Sequence, residues 1–231
     1  MSGELLPLTR REKSFELLVY LALHGGATRK RLTRMLWSED MPGDFHSTLR
    51  HLRDPLKQTT GLKDKLFIGY DNDRYSIDPE LISVDLWDFR RDLAELRTAP
   101  KDQTRISILE RVVALLRGPA LDGTEFDWRD QEAYPITSAM VDAFTQLAEL
   151  LKEREPERAI ELLERAITLL PDRESTYRDL ITVQWNTRRR ADARRTAHIL
   201  MQRISMIGDF EVETREILTQ VLGSASPPPR T

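Results

Sequence analysis

The side chains able to do covalent or metal chemistry in this 231-residue chain are few and scattered. There is no cysteine, so thiolate nucleophiles, thiolate metal sites and disulfides are all excluded. Of the four histidines, His24, His46, His51 and His198, only the middle pair are close in sequence. Their five-residue step sets them about 140° apart on a helix, unsuited to sharing a metal ion. The acidic stretch DGTEFDWRD falls in an expected loop with no histidine or lysine to pair with it. HGGATRKR has glycines and basic residues but not the G-x-x-x-x-G-K-[ST] spacing that cradles phosphates. The chain therefore reads as no enzyme, with no catalytic residue, no metal site and no cofactor expected.

Binding chemistry is concentrated in FHSTLRHLRDPLK, residues 45–57. At helical pitch Phe45, Leu49, Leu52 and Leu56 fall within about 60° of one another and form an apolar stripe. Opposite them lie Ser47, Arg50, His51 and Asp54, with His46, Arg53 and Lys57 on the flank. A DNA-reading helix would use Arg50 on base edges or phosphates, and His46 and Ser47 near its start. His51 and Arg53 would add phosphate contacts. A solvated surface helix would carry the same mixture, because charged faces are routine.

Two residues oppose the first reading. Asp54 puts a carboxylate on the outward face, where phosphate would repel it unless it accepts from a cytosine amino group or pairs with Arg50 one turn earlier. Pro55 lacks the N–H that would bond the His51 carbonyl, and is expected to kink or end the helix, at a cost of about 3 kcal/mol if the helix ran on. The expectation is a shortened recognition helix.

The elements around this stretch are short. Thr9 and Glu12 have the spacing of a capping box before Phe15, Leu18 and Ala22, and Gly25 and Gly26 end that helix. Thr28 caps a second helix, RKRLTRMLW, whose first residues Arg29 and Lys30 are placed for phosphate contact. After the third helix, Leu66, Ile68 and Tyr70 alternate, DND marks a turn, and Tyr75 and Ile77 alternate again. The pattern predicts a β-hairpin with Arg74 free to enter a minor groove. Three helices followed by a hairpin is the order of a winged helix-turn-helix.

Beyond Pro79 strand signals vanish, and residues 85–222 read as successive helices broken at TAPKD, RGPALDGTEFD, KEREPE, LPDRE, NTRRR and IGDFE. PERAIELLERAITLLP and RADARRTAHILMQRIS align at an offset of 34 residues, pairing Ala159 with Ala193, Leu163 with Ala197 and Ala166 with Leu200. That is the tetratricopeptide period, in which small residues let paired helices approach closely. RRRADARR is read as a solvated repeat loop. Trp87, Trp128, Trp185, Phe89, Tyr134, Phe144 and Tyr177 are read as core. The fold class expected is mainly α: a winged helix-turn-helix over 1–78, an all-helical tetratricopeptide-like domain over 79–222, and a disordered tail over 223–231.

Charge supports this division of labour. The whole chain has net charge −3, too acidic for a protein that coats nucleic acid. Residues 1–78 nevertheless hold 13 Lys and Arg against 11 Asp and Glu, net +2, leaving 22 against 27, net −5, for the remainder. A polyanion partner is expected at the N-terminal third. No apolar run approaches the roughly 18 residues of a membrane span, and the start has no leader-like apolar core, so a cytoplasmic location without membrane contact is expected.

With these pieces placed, the chain resembles the actinobacterial regulators that join an OmpR-type winged helix to a bacterial transcriptional activator domain, known from the Streptomyces antibiotic regulatory proteins. ELLVYLALHGGATRKRLTRMLW is similar to that family's first two helices, FHSTLRHLR to its third and RYSID to its second wing strand. SVDLWDF, RGPAL, Asp127 with Trp128, and LLPDRESTYRDLI resemble successive landmarks of the activator domain. The resemblance implies a transcription regulator. DNA contacts would fall on Arg29, Lys30, His46, Ser47, Arg50, His51, Arg53 and Arg74, and the helical domain would dimerise or contact RNA polymerase. The family's winged helix usually begins with a small β-sheet, whereas GELLPL alone precedes the first helix here, as in a trimmed domain or a piece of a longer sensor. A protein-interaction module whose winged helix no longer binds DNA is the alternative that Asp54, Pro55 and the modest +2 charge leave open.

Overall fold

A computed structural model of the chain describes residues 12–37, 43–204 and 209–223. The expected cap at Thr9 and the tail beyond Gly223 lie outside the described residues. The elements are α1 (Lys13–His24), α2 (Arg29–Leu36), α3 (Phe45–Thr60), β1 (Ile68–Asp71), β2 (Arg74–Ile77), α4 (Asp85–Thr98), α5 (Asp102–Leu115), α6 (Arg129–Leu151), α7 (Pro156–Leu169), α8 (Glu174–Asn186), α9 (Arg190–Ile204) and α10 (Val212–Leu222). The fold is mainly helical, a winged helix-turn-helix followed by a helical repeat region.

Packing divides the chain into two units, and not at residue 78. The first holds the described residues up to Arg91 together with Leu121–Asp130; the second holds Asp92–Ala120 and the described residues from Gln131 onward. The first unit thus gains the start of α4 and a loop distant in sequence. Side-chain hydrogen bonds explain the difference. The Trp87 indole donates to the Ala22 carbonyl (2.7 Å) and the Arg90 guanidinium to the Leu23 carbonyl (2.6 Å), satisfying acceptors that the end of α1 leaves open.

α1 ends because Gly25 adopts φ 66°, its N–H bonding the Leu21 carbonyl at 2.9 Å. Gly26 follows at φ 133°, and a Cβ there would stand 2.9 Å from the Tyr75 carbonyl oxygen. That closeness lets Ala27 pair with Tyr75, through N–H to O bonds of 2.9 and 2.8 Å, so the turn after α1 becomes a one-residue third strand beside the hairpin. Thr28 then caps α2, its hydroxyl accepting from the Arg31 N–H at 3.3 Å.

α3 contradicts the expectation of a shortened helix, for it runs through Pro55 to Thr60 and is closed by Gly61 at φ 72°. Its stripe decides the matter. Phe45, Leu49, Leu52 and Leu56 are all buried, in a core with Leu17 and Leu21 of α1 and Leu32 and Leu36 of α2. Each such side chain contributes about 1.5–3 kcal/mol, and together they outweigh the roughly 3 kcal/mol that an interior proline costs.

The hairpin pairs Ile68 with Ile77, Gly69 with Ser76, Tyr70 with Tyr75 and Asp71 with Arg74. Its turn residues Asn72 and Asp73 have φ 48° and 60°, a left-handed pair that Asn and Asp tolerate better than other non-glycine residues. One expectation fails just before it. Leu66 is 56% exposed and Tyr70 57%, while Phe67 and Ile68 are both buried. The strand starts only at Ile68, so alternation does not extend back to Leu66.

In the second unit, α8 packs against α7 and α9, and α10 against α8 and α9. The residues paired by the 34-residue offset, Ala159 and Ala193, Leu163 and Ala197, Ala166 and Leu200, are all buried. Gln184 and Thr196, both buried, satisfy each other across α8 and α9 through a 3.0 Å hydrogen bond. RRRADARR is taken up locally: Arg189 pairs with Glu157 (2.7 Å), Arg190 stacks over Trp185 (3.4 Å to the ring centre) and Arg195 lies 3.5 Å from Asp192. Of the aromatics expected in the core, Tyr134 is instead 63% exposed.

Leu52→Ala is expected to lower the unfolding free energy by about 2–5 kcal/mol. Pro55→Ala is expected to raise it by about 1–3 kcal/mol, because it restores a bond to the His51 carbonyl. Chemical denaturation of the two variants beside the wild type checks both.

Candidate nucleic-acid interface

Burying the apolar stripe of α3 dictates what its opposite face presents. His46, Arg50, His51 and Asp54 are exposed and Ser47 is half-buried. Arg50 makes no hydrogen bond or ion pair with any described residue, which leaves its five N–H donors open. The ion pair expected between Arg50 and Asp54 does not form, and the Asp54 carboxylate stays exposed one turn beyond Arg50.

The start of α3 carries a residue that the sequence reading missed. Asp44 is the N-cap, its carboxylate accepting from the His46 N–H at 3.0 Å and the Ser47 N–H at 3.2 Å. These are the donors a phosphate would otherwise take at a helix N-terminus, so an anion there must be held by side chains. The signal was present: an aspartate sits three residues before Ser47 at the head of an apolar stripe.

Arg53 and Arg74 have work inside the fold. Arg53 is half-buried, and its guanidinium donates to the Ile68 carbonyl at the start of β1, tying α3 to the hairpin. Arg74 donates to the Gly26 carbonyl at 2.5 Å, binding the wing to the turn after α1. Arg74 remains exposed, so its other donors are accessible. For Arg53 the bond to Ile68 engages one guanidinium nitrogen, while its buried Nε has no hydrogen-bond partner among the described residues.

Arg29 and Lys30 are exposed in the first turn of α2, and Arg34 is exposed one turn on. The Arg29 guanidinium carbon lies 5.7 Å from the centre of the Phe45 ring, which steadies it against α3. Arg31 turns the other way, its Nε donating to the Tyr20 hydroxyl at 2.6 Å. Lys63 and Lys65, in the loop before the hairpin, are two further exposed cations of the same unit. At the wing, Tyr70 donates its hydroxyl to Asp73 at 2.9 Å; that bond, and the carboxylate's charge beside it, push the phenol above its ordinary pKa.

A helix with an open arginine, held by its apolar face over a two-helix platform and flanked by a hairpin, defines a winged helix-turn-helix protein of the transcription-regulator class. Residues 84–222 match the bacterial transcriptional activator domain family, and the chain belongs to that family. Its fold is similar to that of Mycobacterium tuberculosis EmbR, solved in complex with a low-affinity phosphopeptide. The TM-score is 0.69 and the identity 20%, and the likeness covers 96% of this chain and 62% of EmbR. A search of the curated proteins finds no match. Among the described residues, no helix is long and apolar enough to cross a membrane.

Arg53→Ala is expected to destabilise the chain by about 1–3 kcal/mol, since it removes a part-buried charged donor from a carbonyl. Arg50→Ala is expected to change stability by no more than about 0.5 kcal/mol. Thermal unfolding of the two variants side by side separates the structural arginine from the free one.

Proposed function

We propose that this chain is a cytoplasmic transcription regulator that binds duplex DNA through its first unit, with α3 in the major groove. The observation that carries the reading is the open Arg50 guanidinium on the outward face of a helix whose inward face is fully committed to the core. Arg50 takes a base edge or phosphate, with His46 and Ser47 beside it. Lys30 and Arg29 meet phosphates from the start of α2, and His51 adds a contact from the exposed face of α3. Arg74 reaches the backbone or minor groove with the donors that Gly26 does not use, whereas Arg53 acts by holding α3 against β1. The helical repeat region is the surface for a second copy of the chain or for RNA polymerase. Dimeric or tandem occupancy would compensate for the small footprint of one winged helix.

A second reading has one observation in its favour. Asp44 and Asp54 place two carboxylates on the face that would meet phosphate, and Asp54 makes no ion pair with any described residue. A winged helix that docks a protein would tolerate both.

Fluorescence anisotropy with a randomised duplex pool at several salt concentrations separates the readings. For three to five phosphate contacts the affinity should fall with a log–log slope of roughly −3 to −4.5. Arg50→Ala should weaken binding by about 5- to 150-fold, the equivalent of about 1–3 kcal/mol. Asp54→Asn should strengthen binding to all duplexes alike. Anisotropy that stays flat across the pool, with Arg50→Ala indistinguishable from wild type, would favour the protein-docking reading.

A further inference from the structure

We propose that Trp128 is a positioning residue for the first turn of α2, acting through Tyr20 and Arg31, so that a loop from the activator-domain sequence sets the placement of Arg29 and Lys30. The inference rests on the DNA-binding reading for its functional consequence and on the geometry alone for the relay itself.

The loop Leu121–Asp130 lies in sequence between α5 and α6, inside the stretch that matches the activator-domain family, yet it packs as part of the first unit. Its aromatic residues hold it there. Phe126 and Trp128 stack with ring centres 4.9 Å apart, and Phe126 lies 6.1 Å from Phe15 of α1. The Trp128 indole N–H donates to the Glu16 carboxylate at 2.9 Å, and Lys13 reaches the other carboxylate oxygen at 2.7 Å. Glu16 is buried, so these two donors are what permits a carboxylate at that place in α1.

Trp128 also meets Tyr20 edge to face, ring centres 5.6 Å apart and planes at 82°. Tyr20 lies one turn beyond Glu16 on α1 and is itself buried, and its ring contacts the His24 ring (4.2 Å) as well as the indole. The Tyr20 hydroxyl accepts from Arg31 Nε at 2.6 Å, and the Arg31 guanidinium carbon lies 5.7 Å from the centre of the Tyr20 ring. Arg31 is the third residue of α2, and its backbone N–H is the one that Thr28 caps. Lys30 and Arg29 immediately precede it. The first turn of α2 is therefore held against α1 by Arg31 on Tyr20, and against α3 by Arg29 on Phe45. An aromatic ring packed edge to face on Tyr20 restricts the freedom that would let this turn swing, and a cation held in one place binds a phosphate at lower entropic cost. The chain of contacts is continuous from Trp128 to Arg31, with two hydrogen-bonded ends and one aromatic joint.

The test is a double-substitution cycle on the full chain with two readouts. The first is the Arg31 Nε–H resonance in a 1H–15N spectrum, assigned by its loss in Arg31→Lys. Trp128→Phe, which keeps a ring but removes the N–H and narrows the edge, should shift that resonance and speed its exchange with water, and Tyr20→Phe should do so more strongly. The second is affinity for the duplex pool. Trp128→Phe should weaken it by about 2- to 30-fold in the wild-type background. In the Arg31→Lys background it should have no further effect, because the residue through which it acts is gone. A substitution that merely loosened the fold would cost the same in both backgrounds. An unmoved Arg31 resonance in Trp128→Phe, or equal losses in both backgrounds, overturns the proposal. Should the wild type bind no duplex, the DNA-binding reading fails, and the Arg31 resonance still decides the relay.

Discussion

Everything that α3 offers to a partner depends on the burial of four of its side chains. Phe45, Leu49, Leu52 and Leu56 are driven together by water, and the platform they find is the apolar side of α1 and α2. Once that face is committed, the opposite one has no choice of direction, so Arg50 and Asp54 are displayed by the same event that builds the core. The stripe also extends one turn past Pro55, which is why a residue that breaks isolated helices does not break this one. Local preference is worth a few kcal/mol at a single position; a stripe of buried side chains is worth several times that and acts cooperatively.

Around this core, cations are sorted into two populations by what lies within reach. Arg31, Arg53, Arg74 and Arg90 each find an acceptor on a neighbouring element, in three cases a backbone carbonyl that the end of a helix, a turn or a strand leaves open. Arg50 and Lys30 find none among the described residues and remain solvated. Arginine suits the first task because its long stem can lie along apolar surface while its planar fork meets a carbonyl. A count of basic residues in the first unit therefore overstates the charge free to meet a polyanion, which sharpens the importance of the few cations left open.

The boundary between the units follows the same logic. A chain boundary at a change of composition is natural to expect near residue 78, where strands give way to helices. Hydrogen bonds from Trp87 and Arg90 to the end of α1, and from Trp128 to Glu16, bring both the start of α4 and the loop 121–130 into the first unit. The first unit thus includes residues that belong, by family, to the activator domain.

Periodic burial was legible in the sequence because it repeats. The stripe of α3, the glycine stop after α1, the Thr28 cap, the hairpin turn at Asn72 and Asp73 and the 34-residue spacing of Ala159 and Ala193 all follow from rules that act over a few residues or at a fixed period. The outward face of α3 was legible for the same reason, as the complement of its stripe. What the sequence alone could not decide was whether a single local cost would prevail, and whom each long side chain would meet. Pro55 stayed helical because of packing supplied by residues 17, 21, 32 and 36. Arg53 turned inward because a carbonyl 15 residues away came within its reach, and Trp128 became part of the first unit because a buried carboxylate 112 residues earlier needs its N–H. Such partners are chosen by distance in space, which the fold creates and the order of residues does not contain.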